Sequence, residues 1–206
     1  MSTEFEVEVA DDFESESSFL SKPGTYHLVI EDVKVGVGPK GNAIEGATFS
    51  LSVYAGTVES EKKKTYNHVI FFPKATHKDG GKFATKVLSK FLLAANQVNP
   101  SDKGKRIAID PEKLVAQQIV MSFVHGKPGD DGKSYLEVDN GGLAVYHIDD
   151  PHVAGIPKDT AAIGLLPKEL RHDKAWFDQV YAKQKPAPVS PTAQAAAASP
   201  VNIAEL

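Results

Sequence analysis

KTYNHVIFFPKATHKDGGKFATKVLSKFLLAANQV, residues 64–98, contains the change of hydrophobic period that decides the fold. In Lys64–Phe72, the residues Tyr66, His68, Ile70 and Phe72 alternate with Asn67, Val69 and Phe71, the period of two of a strand with unlike faces. Pro73 ends it, because proline has no N–H to give to the ladder. Beyond it Phe83, Val87, Leu88, Phe91, Leu92 and Ala95 recur at three- and four-residue spacing, which predicts an amphipathic helix over Gly81–Val98. Its outer face carries Lys82, Lys86 and Lys90, and Asn99-Pro100 stops it.

Outward from this stretch the strands continue. Thr25–Val35 puts Tyr26, Leu28 and Ile30 on one face. Ala47–Val58 puts Ala47, Phe49, Leu51 and Val53 on one face and Thr48, Ser50, Ser52 and Tyr54 on the other, after a turn-rich link from Gly36 to Gly46. Past the helix, Gln117–Val124 and Ser134–Val138 return to strand character around the Gly-rich turn Lys127–Gly132, and Leu143–Ile148 continues or adds a strand. The expectation is a mainly β domain with one or two helices, arranged as an OB-fold-like five-stranded Greek-key barrel with a helix between strands 3 and 4.

The chain divides into an acidic N-terminal segment (1–20), the OB-like domain (21–150), an extension with a short helix carrying Trp176, Phe177, Val180 and Tyr181 (151–184), and a tail rich in Pro, Ala and Ser that is expected to be disordered (185–206). There is no Cys, which excludes disulfides and zinc-thiolate sites. The first residues are acidic where a signal peptide is basic, and no apolar run approaches the roughly 20 residues of a membrane span. A cytoplasmic protein without membrane contact is expected.

Two sequence features resemble known motifs without their context. Gly36-Val37-Gly38-Pro39-Lys40-Gly41 matches G-x-G-x-x-G, but strand residues follow where a helix must start, so it reads as a hairpin loop. His147-Ile148-Asp149-Asp150-Pro151-His152 gathers metal-ligand types at a spacing that fits no standard site, and reads as a strand end turning at Asp-Asp-Pro. No nucleophile elbow, P-loop or H-E-x-x-H is present, so no enzyme, cofactor or metal is expected.

Charge is sorted along the chain. The first twenty residues carry seven carboxylates and no base, whereas positions 62–113 carry twelve Lys or Arg against four acids. Bases interleaved with aromatics suit a single-stranded nucleic acid, with cations for phosphates and flat rings for bases. The candidate binding residues are Tyr54, Lys62, Lys63, Lys64, Tyr66, Phe71 and Lys74, with Lys40 in the first loop and Lys103, Lys105 and Arg106 before strand four. Strand parity allows one alternate set to reach a ligand, so Ile70 in the core favours outward Phe71 over Tyr66. The helix lysines read as a solvated face, and the acidic start as a competitor for the basic surface.

Pro23-Gly24-Thr25-Tyr26, the Pro39-Lys40-Gly41-Asn42 loop leading into Phe49-x-Leu51-x-Val53, Phe71-Phe72, and Phe91-Leu92-Leu93-Ala94-Ala95 together resemble small phage-encoded single-stranded DNA-binding proteins of the OB-fold type. The resemblance covers about residues 24–145. It implies sequence-tolerant binding of single-stranded DNA without catalysis and protection of DNA during replication. The wider expectation is a role in DNA replication, recombination or repair, with replication or recombination proteins as partners and a homo-oligomer. Some members of that class end in an acidic tail, and here the acidic segment is at the other end. The competing reading is a protein-interaction or assembly module of a phage that binds no nucleic acid, using the Trp176 helix or the alternating TEFEVEV segment as its sticky surface.

Overall fold

Residues 17–159 are described by the computed structural model. The acidic residues 1–16, the expected helix around Trp176 and the tail 185–206 lie outside the described residues. Strand β1 (Gly24–Val37) pairs along one edge with β2 (Ala43–Gly56) and along the other with β4 (Gln118–His125). β3 (Thr65–Phe71) continues the sheet beyond β2, and β5 (Leu136–Val138) and β6 (Val145–His147) share the far edge of β4. The order is β3-β2-β1-β4-β5 with β6 also on β4, and every pairing is antiparallel. Helix α1 (Lys82–Ala94) lies between β3 and β4 in the chain, and the one-turn α2 (Asp139–Gly142) separates β5 from β6.

The sheet is curled into a half-barrel. In a flat sheet β3 and β4 would lie about 14 Å apart, three strand spacings, yet the Tyr66 and Phe123 rings from these strands meet edge-on with centroids 4.7 Å apart. The β1–β2 ladder shifts register at His27/Leu28, Ile30/Asp32 and Val35/Val37, and such bulges sharpen twist and bend. Tyr26, Leu28, Ile30, Phe49, Leu51, Ile119, Met121 and Phe123 are buried on the inner face. Each side chain of this size stabilises by about 2 kcal/mol when removed from water.

Helix α1 crosses that interior, packing on β3 and β6, with Phe91 against Phe49 at 4.4 Å. The Asp79 carboxylate accepts from the Gly81 and Phe83 amides, which organises its start. The helix stops short of the expected Val98, because Asn96 turns left-handed (φ 59) and the Gln97 N–H returns to the Leu92 carbonyl, a Schellman-type end. Phe83, expected in the apolar stripe, is 52% exposed. It stands beside Phe71 of β3, on the wall of an open cleft.

The Gly36–Gly41 stretch is a hairpin, with the Gly38 N–H donating to Asn42 at 2.7 Å and Gly41 at φ 78. The strands beside it run further into the link than the sequence suggests. Packing also extends beyond residues 21–150, since Leu20 and Val153 are buried. The segment after β6 returns to the outside of β1 and β4, where the Asp159 N–H donates to His27 Nδ1 at 3.2 Å. That bond leaves His27 Nε2 as the protonated nitrogen, donating to Gln118 Oε1 at 2.8 Å.

The inner face holds one polar ring without such support. His68 is buried among Phe49, Tyr66 and Phe91, its Nε2 has no hydrogen-bond partner among the described residues, and burial pushes its pKa down to about 4. The unfolded chain takes up this proton near the ordinary 6.5, so stability is level above that pH and falls as pH drops toward 4. Equilibrium urea unfolding between pH 7.5 and 4 should show His68→Phe losing about 3 kcal/mol less stability than the parent chain. An identical acid dependence in the two proteins would show that His68 does not carry this linkage.

Candidate functional site

The outside of the β2–β3 pair is lined by Ser50, Ser52 and Tyr54 from β2 and by Asn67, Val69 and Phe71 from β3. The alternation anticipated for β3 holds: His68 and Ile70 are buried and Phe71 is 57% exposed. Small polar residues occupy the middle, where Ser50 Oγ donates to Asn67 Oδ1 at 3.2 Å. The aromatic and basic groups gather at its two ends, roughly 25 Å apart at about 3.3 Å per residue.

At one end Tyr54, Lys62 and Lys63 line a shallow cavity of about 330 Å³ together with Glu31, Ser52, Val53 and Asp159. The Tyr54 ring rests against His27, centroids 6.0 Å apart. The 3-10 turn Glu59–Glu61 raises the two lysines, and Lys63 adopts φ 69 with its N–H held by the Val53 carbonyl at 2.8 Å. Both side chains are exposed.

Lys64 has a different role. It lies 3.0 Å from Glu61, whose carboxylate is fully buried and also accepts the Ser21 N–H at 2.8 Å. Burial acts to raise the Glu61 pKa, but the Ser21 amide, the Lys64 ammonium and the Lys22 amide outweigh it and hold the group below its ordinary value. This knot ties the N-terminal segment to the β2–β3 turn, beside the parallel bridge of Phe19 with Thr65. In the sequence Glu61 looks like one more charge in a solvated turn, and nothing there signals its burial.

At the other end stand Phe71, Lys74, which is ion-paired with Glu45, and the Lys40 hairpin tip. Phe71 shares an open cleft of about 800 Å³ with His77, Lys78, Asp79, Phe83 and Ala84. Helical periodicity assigns Phe83 to the core, and nothing in the sequence relates His77 or Lys78 to Phe71.

The remaining candidates are not brought to these two cavities. Tyr66 is half-buried on the inner face against Phe123, and Lys103, Lys105 and Arg106 lie exposed between α1 and β4, with Lys105 paired to Asp102 at 3.1 Å. Among the helix lysines, Lys90 is half-buried with its Nζ 5.3 Å from the Tyr146 ring centroid, while Lys82 and Lys86 are exposed. In His147–His152, Asp150 caps a 3-10 turn and lies 2.8 Å from His152 Nδ1. Among the described residues no group of three or more His, Asp or Glu is placed to hold a metal ion, and no helix is long and apolar enough to cross a membrane.

The chain matches no family model and no curated protein sequence.

Lys64 and its neighbours are separable by stability. Lys64→Met should lower the unfolding free energy by about 3 kcal/mol by leaving the Glu61 charge buried without its counterion. Lys62→Gln and Lys63→Gln should each stay within about 0.5 kcal/mol of the parent. Urea denaturation reads both, and equal effects at all three positions would remove the distinction.

Proposed function

We propose that this protein is a non-catalytic, largely sequence-independent single-stranded DNA-binding protein with an OB-like barrel. The observation that carries the reading is the open outer face of β2–β3, with Tyr54, Lys62 and Lys63 converging at one end and Phe71 at the other. Lysines neutralise phosphates and rings stack bases, a combination indifferent to sequence because every base has a flat face. The pairing of β1 with both β2 and β4, and a helix between β3 and β4, support the OB assignment. The resemblance to phage single-stranded DNA-binding proteins suggests a role in DNA replication, recombination or repair in a host cytoplasm, alongside other replication or recombination proteins.

A labelled oligothymidylate titrated at about 50 mM and about 200 mM salt tests this. Affinity should fall steeply with salt, and the double variant Lys62→Gln, Lys63→Gln should reduce the log–log slope by roughly 0.7 per phosphate contact removed. Absence of binding at the lower salt would end the reading.

One observation favours the assembly-module reading. The Thr65 N–H and C=O point away from β2 to Ser18 and Leu20, so those of Asn67, Val69 and Phe71 face the same outer edge. No described strand pairs with that edge beyond Thr65, and a strand from a second chain could add to it. Self-association in light scattering, independent of DNA, would favour this reading.

A further inference from the structure

We infer that the cleft between Phe71 and Phe83 is a second base-stacking site, which takes a nucleobase of the same single strand while Lys78 meets its phosphate. The inference rests on the single-strand reading above and adds a location at the far end of the β2–β3 face. Two large rings stand more than half in water here, at 57% and 52% exposure, each leaving apolar surface that contact with a ligand would bury. They come from different elements, a strand end and a helix start, joined by a tightly folded connection. The His77 N–H donates to Lys74 at 3.1 Å and the Gly80 N–H to His77 at 2.7 Å. At Gly81 (φ 80) a Cβ would stand 2.8 Å from the Lys74 carbonyl oxygen, so the backbone closes there.

Phe83 also has a neighbour beyond the helix. A Cβ on Gly141, in α2, would stand 3.3 Å from Phe83 Cζ, so the turn between β5 and β6 abuts the tip of the ring. The cation offered to an anion here is Lys78. It lines the rim with His77 and forms no ion pair among the described residues, while the one lining carboxylate, Asp79, stays ionised, its oxygens taken by the Gly81 and Phe83 amides at 2.9 and 2.6 Å. An apolar protein side chain would use the rings and have no use for the lysine. A nucleotide uses both, and the cleft continues the same face that carries Tyr54, Lys62 and Lys63.

The test uses the full chain and a labelled oligothymidylate of about 16 nucleotides, the upper end of what one OB fold covers. Phe83→Ala and, on the opposite wall, Phe71→Ala should each weaken binding about 5-fold or more, whereas Phe83→Tyr should retain the parent affinity. Lys78→Gln should weaken binding at low salt and lose its effect as salt rises. Thermal melts check that the alanine variants remain folded. If the parent binds and the Lys62→Gln, Lys63→Gln double variant weakens it, but folded Phe71→Ala and Phe83→Ala variants bind like the parent, the cleft inference is overturned and the single-strand reading stands. If the parent itself does not bind at low salt, both fall. A change of oligomeric state in Phe83→Ala at unchanged DNA affinity assigns the cleft to a protein contact and overturns the base site.

Discussion

The middle strand β1 joins the two halves of the sheet, with β2 and β3 on one edge and β4, β5 and β6 on the other. It is buried on both faces for five consecutive residues, Tyr26–Ile30. That double burial requires an apolar interior on one side and a cover on the other. Tyr26, Leu28 and Ile30 supply the interior, and the segment after β6 reaches the outside at His27. A buried imidazole is costly without partners, and Gln118 and the Asp159 amide satisfy both of its nitrogens.

The position of the candidate face follows from this asymmetry. The returning segment reaches the outside of β1 and β4 and, at Asp159, the wall of the Tyr54 cavity, while the rest of the outside of β2 and β3 retains Ser50, Ser52, Asn67 and Phe71 in partial or full contact with water. The Glu61 knot fixes the same face at one end, because it locks the β2–β3 turn that presents Lys62 and Lys63. A lysine three residues from a buried carboxylate serves the fold, and lysines one and two residues away point to water. Adjacent members of a single charge run thus have different work, divided by which of them can reach an interior acid.

Much of this was legible in the chain. The alternation of Tyr66–Phe72 specifies a strand and the spacing from Val87 to Leu92 a helix, because both patterns reflect local geometry repeated along the backbone. The same parity places Ile70 inside and Phe71 outside. Legibility stopped where burial depends on distant chain. Phe83 fits the helical stripe, yet it lines an open cleft with Phe71. His27 sits at an outward position of β1 and is buried by residues more than a hundred positions later. Tyr66 qualifies by type as a stacking residue, but the curl brings Phe123 against it.

The sequence by itself determined the order of strands and helix, the faces of β3, and the sorting of charge between an acidic start and a basic middle, because these depend on residue type and short-range spacing. The tertiary structure decided which charges are available and which aromatics are open. Glu61 captures Lys64, Glu45 captures Lys74, and Phe71 and Phe83 are set beside one cleft. The physical reason is that solvation and ion pairing depend on what lies within a few ångströms in space, and sheet curl brings together residues that spacing along the chain does not relate.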